Sequence, residues 1–240
     1  MELNRSDENS ANLPTLPHGL GDIESRAILK MLPKAHAALA ELKGVAASMP
    51  NQSILVGTLS LQEAKDSSEI ENIITTQDEL YKALTISVNY VSPETKEVVN
   101  YRKAIFQGYD LVKKQGFLSV NDIIHIQQKL VDNTAGIRST LGTVLKNDKT
   151  GEIVYTPPQD KAEIIDLLTN FINHFNEQNE LSPLINLAIL HYQFESIHPF
   201  YDGNGRTGRI LNILYLMLNE LIDVPILYLS SYIIAHKSEY

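Results

Sequence analysis

The sequence predicts a mostly α-helical bundle carrying one short β-hairpin. Apolar residues recur at helical spacing over several long segments, two "SP" dipeptides mark helix starts, and β-branched residues flank one turn cluster, "NDKTG". With 240 residues, 43% of them hydrophobic, the chain can bury one sizeable core.

The elements follow in order. The first 20 residues are polar and are expected to form an extended arm without an apolar signal core. Ile28, Leu29, Leu32, Ala35, Leu39 and Leu42 set a helix over about 23–48. A break at "SMPNQS" precedes a helix over about 61–72, and Leu84 closes a further one. Ser92 is an N-cap with Pro93 in the first turn, and that helix stops at Gly116. "SVNDIIHIQQKLVDN" is the next helix. "LGTVLKNDKTGEIVYTPP" is the hairpin, ended by Pro157 and Pro158. "DKAEIIDLLTNFINHFNEQ" and a segment starting at Ser182-Pro183 return to helical spacing. The apolar run "ILNILYLMLNELIDVPILYLSSYII" is cut by Glu220, Asp223 and Pro225, so it reads as helix, turn and helix instead of a membrane span.

The net charge of −9 argues against broad nucleic-acid binding, which needs a basic face. The chain has no cysteine, so disulfides and thiolate metal sites are excluded and a reducing cytoplasm is the compatible setting.

One stretch concentrates chemistry: "HPFYDGNGRTGR", residues 198–209. Gly203, Asn204 and Gly205 form a turn directly before an apolar helical run from Ile210. Such a turn leaves backbone N–H groups unpaired at the positive end of a helix, which makes an anion site. Arg206 and Arg209 are unfavourable near a helix start unless a multiply charged anion, such as a polyphosphate, offsets them. Asp202 supplies one corner for Mg²⁺, with phosphate oxygens and water completing the shell. His198 precedes Pro199, which ends the preceding helix, and its ordinary pKa suits a general base. His191, Glu195 and His198 also stand at i, i+4 and i+7, as in a helical metal site. Pro199 weakens that alternative, and His191 with Glu195 reads better as a packing and hydrogen-bonding pair supporting the site.

This stretch resembles the Fic-family signature, His-x-Phe-x-Asp/Glu-Gly-Asn-Gly-Arg-x-x-Arg, at every defined position. "TVLKNDKTGEIVYTPP" is similar to the family's flap hairpin, and "HYQFESIHPF" to its central helix and active-site loop. Ser67, Glu71 and Asn72 in "SSEIEN" match the inhibitory motif Ser/Thr-x-x-x-Glu-Gly/Asn. The resemblance covers roughly 25–240. It implies an N-terminal helical extension with an inhibitory helix over 1–90 and a Fic core over 91–240, ending at Tyr240 where similar relatives continue into a winged-helix domain.

What the resemblance implies is a protein adenylyltransferase: AMP passes from ATP to a Ser, Thr or Tyr hydroxyl and pyrophosphate leaves. By motif position, His198 is the base and Asp202 holds Mg²⁺, with Mn²⁺ as an alternative. Gly203, Asn204, Gly205, Arg206, Thr207, Gly208 and Arg209 form the ATP-binding run, with Arg209 on the γ-phosphate. Glu152, Ile153, Val154 and Tyr155 would cover the nucleotide and align the target, and Tyr240 matches a position near the adenine. Glu71 would pair with Arg209 at rest and so border the ATP site. The expected partners are ATP and a target protein docked on the flap, with self-AMPylation and a homodimer as further options, and neither nucleic acid nor membrane. The competing readings are a Fic enzyme with another donor, one that removes AMP, and a non-catalytic helical adaptor.

Overall fold

A computed structural model describes residues 13–17, 23–85, 91–147 and 150–237. Among these, helices α1 to α9 and one two-stranded antiparallel hairpin make up the fold. α1 (Arg26–Ser48) starts slightly later than its apolar spacing suggests, because the Ser25 hydroxyl caps it by accepting from Ile28 N–H. α2 (Gln52–Ile70) starts earlier than the expected Leu61, because Asn51 accepts from Ser53 N–H and caps a polar first turn. It also ends earlier, at Ile70: Glu71 is its C-cap, and Asn72 turns left-handed at φ 62°.

α3 (Gln77–Thr85) and α4 (Pro93–Gln115) follow; Ser92 caps α4 and Gly116 ends it at φ 72°, as read from the sequence. A capping box between Ser119 and Asp122 opens α5 (Val120–Val131). β1 (Leu145–Lys146) pairs with β2 (Ile153–Tyr155), with Leu145 opposite Tyr155 and Lys146 opposite Ile153. α6 (Lys161–Asn176), α7 (Pro183–Ile197), α8 (Asn204–Leu218) and the short α9 (Ser230–Ala235) complete the order.

The core lies where α4, α5, α6, α7 and α8 converge. Phe171, Phe175, Phe194 and Phe200 interlock there, with ring centroids 5.6–6.4 Å apart in successive tilted pairs. α8 is buried on nearly every face, so its start is fixed in place by packing on all sides. The described part of the arm, residues 13–17, turns at Leu16 and Pro17 and is held by backbone recognition. Asn170 accepts from Leu16 N–H at 2.7 Å and donates to its carbonyl at 2.9 Å, and Gln193 donates to the Pro14 carbonyl at 2.9 Å. Among the described residues, no helix is long and apolar enough to cross a membrane.

Candidate active site

The end of α7 and the start of α8 build the site. α7 stops at Ile197, and His198 takes the left-handed conformation at φ 47°, ψ 59°. That conformation is uncommon for a residue with a Cβ and marks a turn held by its surroundings. Phe200 then forms an isolated antiparallel bridge with Ile137. Asn204 closes the following loop: its side chain accepts from Phe200 N–H and donates to the Phe200 carbonyl, both at 2.8 Å. This side chain is therefore occupied within the loop, and its contribution to an anion site is its backbone at the helix start. Gly203 is the N-cap of α8 at φ 78°, and no side chain caps that end. A Cβ at Gly203 would sit 2.8 Å from Val131, so the loop packs against α5 only with glycine there.

His198, Tyr201, Asp202, Gly203, Asn204, Gly205, Arg206, Glu71 and Ile73 line one cleft of about 240 Å³. Of the sequence-predicted residues, His198 and Asp202 to Arg206 thus converge with Glu71 on one space, whereas Thr207, Gly208, Arg209 and the flap residues 152–155 are not among its walls. A larger cavity of about 720 Å³ lies between the arm, α1 and α7. Among the described residues its walls carry no Asp, Glu, Lys, Arg or His, whereas the smaller cleft gathers Glu71, His198, Asp202 and Arg206.

Arg206 is in the first turn of α8 and Arg209 in the second. Both side chains are 2% exposed. Arg206 donates through Nη1 to Glu97 Oε2 at 2.6 Å and through Nη2 to Asp202 Oδ1 at 3.0 Å. Arg209 donates through Nε to Ser67 Oγ at 2.7 Å, and through Nη2 to the Ser67 carbonyl and Glu71 Oε1, both at 2.9 Å. Ser67 and Glu71 are therefore on Arg209, while Asn72 supplies the left-handed turn that ends α2 beside it. The Glu71 carboxylate lies directly on the start of α8: a Cβ at Gly205 would be 2.5 Å from Glu71 Oε1. Thr207 is fully buried, and Gly208 lets α8 approach His191 and Glu195 of α7.

Burial, followed by the Arg138 charge, lowers the His198 pKa to about 4, so its ring is neutral at neutral pH. Burial likewise lowers His191 to about 4 and raises Glu195 to about 7. His191 Nδ1 lies 3.2 Å from the Asn212 amide, and among the described residues no cluster of three or more metal-ligating side chains occurs. The helical metal site read from His191, Glu195 and His198 is thus not assembled. Asp202 is exposed at the cleft mouth and offers a single carboxylate, a donor set that fits a hard cation completed by phosphate oxygens and water.

The flap strand exposes Ile153 and Val154, 58% and 70% accessible, while the Tyr155 hydroxyl donates to the Ser196 carbonyl at 3.0 Å and ties the strand to α7. Glu152 precedes the strand at the hairpin turn. Tyr240 lies outside the described residues. Sequence reasoning passed over Glu97 and Arg138, each remote from the motif and carrying no local signature, and Glu63. The buried Glu63 carboxylate accepts from Tyr101, from Ser230 N–H and from the Ser230 hydroxyl at 3.3, 3.0 and 2.6 Å.

Two family models match the chain, the Fic/DOC family N-terminal model over 29–110 and the Fic/DOC family model over 117–216. The chain belongs to the Fic/DOC family. It is 30% identical over 133 residues to protein adenylyltransferase fic-1 of Caenorhabditis briggsae, covering 52% of this chain and 24% of that protein. It is 27% identical over 176 residues to a probable protein adenylyltransferase of Aquifex aeolicus, covering 69% of this chain and 50% of that one. The chain thus spans a quarter to a half of these relatives' length. Among solved structures, a Fic family protein from Desulfovibrio desulfuricans superposes with a TM-score of 0.71 at 23% identity, covering 90% of this chain and 65% of that one. Fic-1 from C. elegans gives 0.65 at 20% identity, covering 89% and 66%. These likenesses establish the Fic fold, and the curated relatives are named as protein adenylyltransferases.

Proposed function

We propose that this Fic protein transfers AMP from ATP to a hydroxyl side chain of a target protein and that Glu71 restrains it. The observation that carries the reading is the convergence of His198, Asp202 and the start of α8 on one cleft with Glu71 laid across it. In this reading the neutral His198 ring takes the hydroxyl proton as the oxygen attacks the α-phosphorus, and the α–β bridging oxygen leaves with pyrophosphate. The uncapped N-terminus of α8, with Arg206 and Arg209 on its first two turns, receives the phosphate charge. Asp202 would hold Mg²⁺ or Mn²⁺, which supplies charge neutralisation between the phosphates when bound. The exposed strand edge near Ile153 and Val154 would receive the target, or a second copy of the chain in self-modification. The cysteine-free composition fits a cytoplasmic setting.

At rest, Glu71 occupies the arginine that the γ-phosphate needs. The test is incubation of wild type and Glu71→Gly with α-labelled ATP and Mg²⁺. Label on protein from the variant, absent when His198→Ala is added, is the expected result. No label on any protein from a folded Glu71→Gly variant rejects the reading.

A further inference from the structure

Arg138 stands out as a buried cation that no motif includes. It is fully buried, and it is the largest of the fully buried side chains among the described residues. A buried guanidinium is ordinarily matched by a carboxylate, because an uncompensated charge in the interior is costly. Among the described residues no carboxylate lies within ion-pair distance of Arg138, and Glu163 acts on it only through space. Its partners are backbone carbonyls instead. Nε donates to His198 O at 2.7 Å, while Nη2 donates to Ile197 O at 3.3 Å and to Pro158 O. Its own N–H donates to Pro199 O at 3.0 Å. Four carbonyls from two segments are thus gathered on one residue: three consecutive ones across the turn that presents His198, and one at the foot of the flap.

We propose that Arg138 is the positioning residue for the proposed base. Its fork holds the carbonyls of residues 197 and 198 while His198 sits in the left-handed conformation, and the Pro158 contact ties that turn to the flap that would align the target. A strained turn persists only where its surroundings over-determine it, and a planar fork that reads adjacent carbonyls does so better than a flexible ammonium. The second consequence is electrostatic. The Arg138 charge, after burial, disfavours the imidazolium, while Glu71 and the Glu195 backbone favour it. Asp202 and Arg206 line the same cleft, and burial is the larger effect on the ring; removing the Arg138 cation takes away the second cause that holds its titration low, so the midpoint should move upward.

The inference rests on the AMP-transfer reading, and the test separates the two. Full-length protein carrying Glu71→Gly is compared with the same protein carrying Arg138→Lys or Arg138→Met. The His198 ring is followed by NMR across pH, and transfer of label from α-labelled ATP is followed in parallel. Arg138→Met should raise the His198 midpoint above that of the Glu71→Gly parent, part of the way towards 6.5, and shift the acid limb of the transfer rate the same way. Arg138→Lys should leave the midpoint low, because it keeps the charge. It should still cut kcat by on the order of a hundredfold with KM for ATP little changed, because the turn loses its fork. A His198 midpoint unmoved in folded Arg138→Met, or full kcat in Arg138→Lys, overturns the role of Arg138. The NMR titration needs no turnover, so it reads Arg138 even if the Glu71→Gly parent transfers nothing, an outcome that rejects the reading beneath it.

Discussion

Replacing Glu71 by glycine removes two obstacles to a triphosphate, and each has a size. The first is the contact itself: Glu71 Oε1 accepts from Arg209 Nη2 at 2.9 Å, with the arginine 2% and the glutamate 41% exposed. A charge-assisted hydrogen bond contributes about 1.5–3 kcal/mol, and the open side of Glu71 places this one near the lower end. The second is repulsion between the carboxylate and an arriving phosphate. Two unit charges about 4 Å apart near a protein surface interact by about 4 kcal/mol, reduced by solvent on the exposed side. Together they give a relief of about 2–4 kcal/mol, which is roughly 30- to 1,000-fold in the transfer rate. Glu71→Gln keeps the shape without the charge and should fall between wild type and Glu71→Gly. The assay is label transfer from α-labelled ATP at saturating Mg²⁺, with unfolding curves recorded to show that each variant is folded. Glycine is tolerated at this helix end, where φ is −91°. A rise of less than about threefold in folded Glu71→Gly would refute the argument, since no reasonable screening shrinks both effects to that level.

Three further outcomes follow from the same geometry. Glu97→Ala in the Glu71→Gly background leaves Arg206 with Asp202 as its remaining carboxylate partner in the cleft; because Glu97 is 38% exposed, a cost of about 0.5–1 kcal/mol is expected, read as a two- to fivefold rise in KM for ATP. Glu63→Ala strips the acceptor from Tyr101 and from both donors of Ser230, and should lower unfolding free energy by about 2–4 kcal/mol in denaturant titrations while loosening the attachment of α2. Stability should be greatest between about pH 6 and 7. His191 and His198 titrate near 4 in the fold instead of 6.5, so their contribution is present above 6.5 and lost as pH falls through 4; Glu195, raised to about 7 by burial, makes a contribution present below 4.5 and lost as pH rises through 7. Calorimetry across pH checks both limbs, and Glu195→Gln should flatten the alkaline one.

The sequence exposes what lies close together along the chain. Residues 198–209 are contiguous, so the turn, the helix start and the motif side chains can be read without knowing the fold. The helix starts at Ser92 and Ser182 are equally local, because a hydroxyl cap and a proline in the first turn determine them. The start of α2 is less legible: Pro50, Asn51, Gln52 and Ser53 look like a loop, and only the capping geometry reveals a helical turn. Partners far apart in sequence carry no such signature. Glu71 stands 138 positions from Arg209 and is found only because the segment resembles an inhibitory motif. Glu97 is 109 positions from Arg206 and Arg138 is 60 from His198, each on an element whose own sequence pattern explains it fully as a helix or loop.

What distinguishes the three buried guanidinium groups among the described residues is how removable their partners are. Arg138 is held by main-chain carbonyls, which cannot leave without unfolding the turn, so its task is fixed. Arg206 is held between Asp202 of its own loop and Glu97 of α4, two partners on packed elements. Arg209 is held by α2 through Ser67, deep in that helix, and through Glu71 at its half-exposed end. Glu71 can withdraw by a local change at a helix terminus, whereas Ser67 can withdraw only with the helix. In the proposed reading a phosphate and Glu71 compete for one nitrogen of one arginine. Linkage makes that competition reciprocal: whatever draws Glu71 away tightens phosphate binding, and bound phosphate loosens Glu71 by the same factor. The proposed restraint is then adjustable in degree, because both the Arg209 contact and the repulsion of an arriving phosphate come from one carboxylate that is 41% exposed.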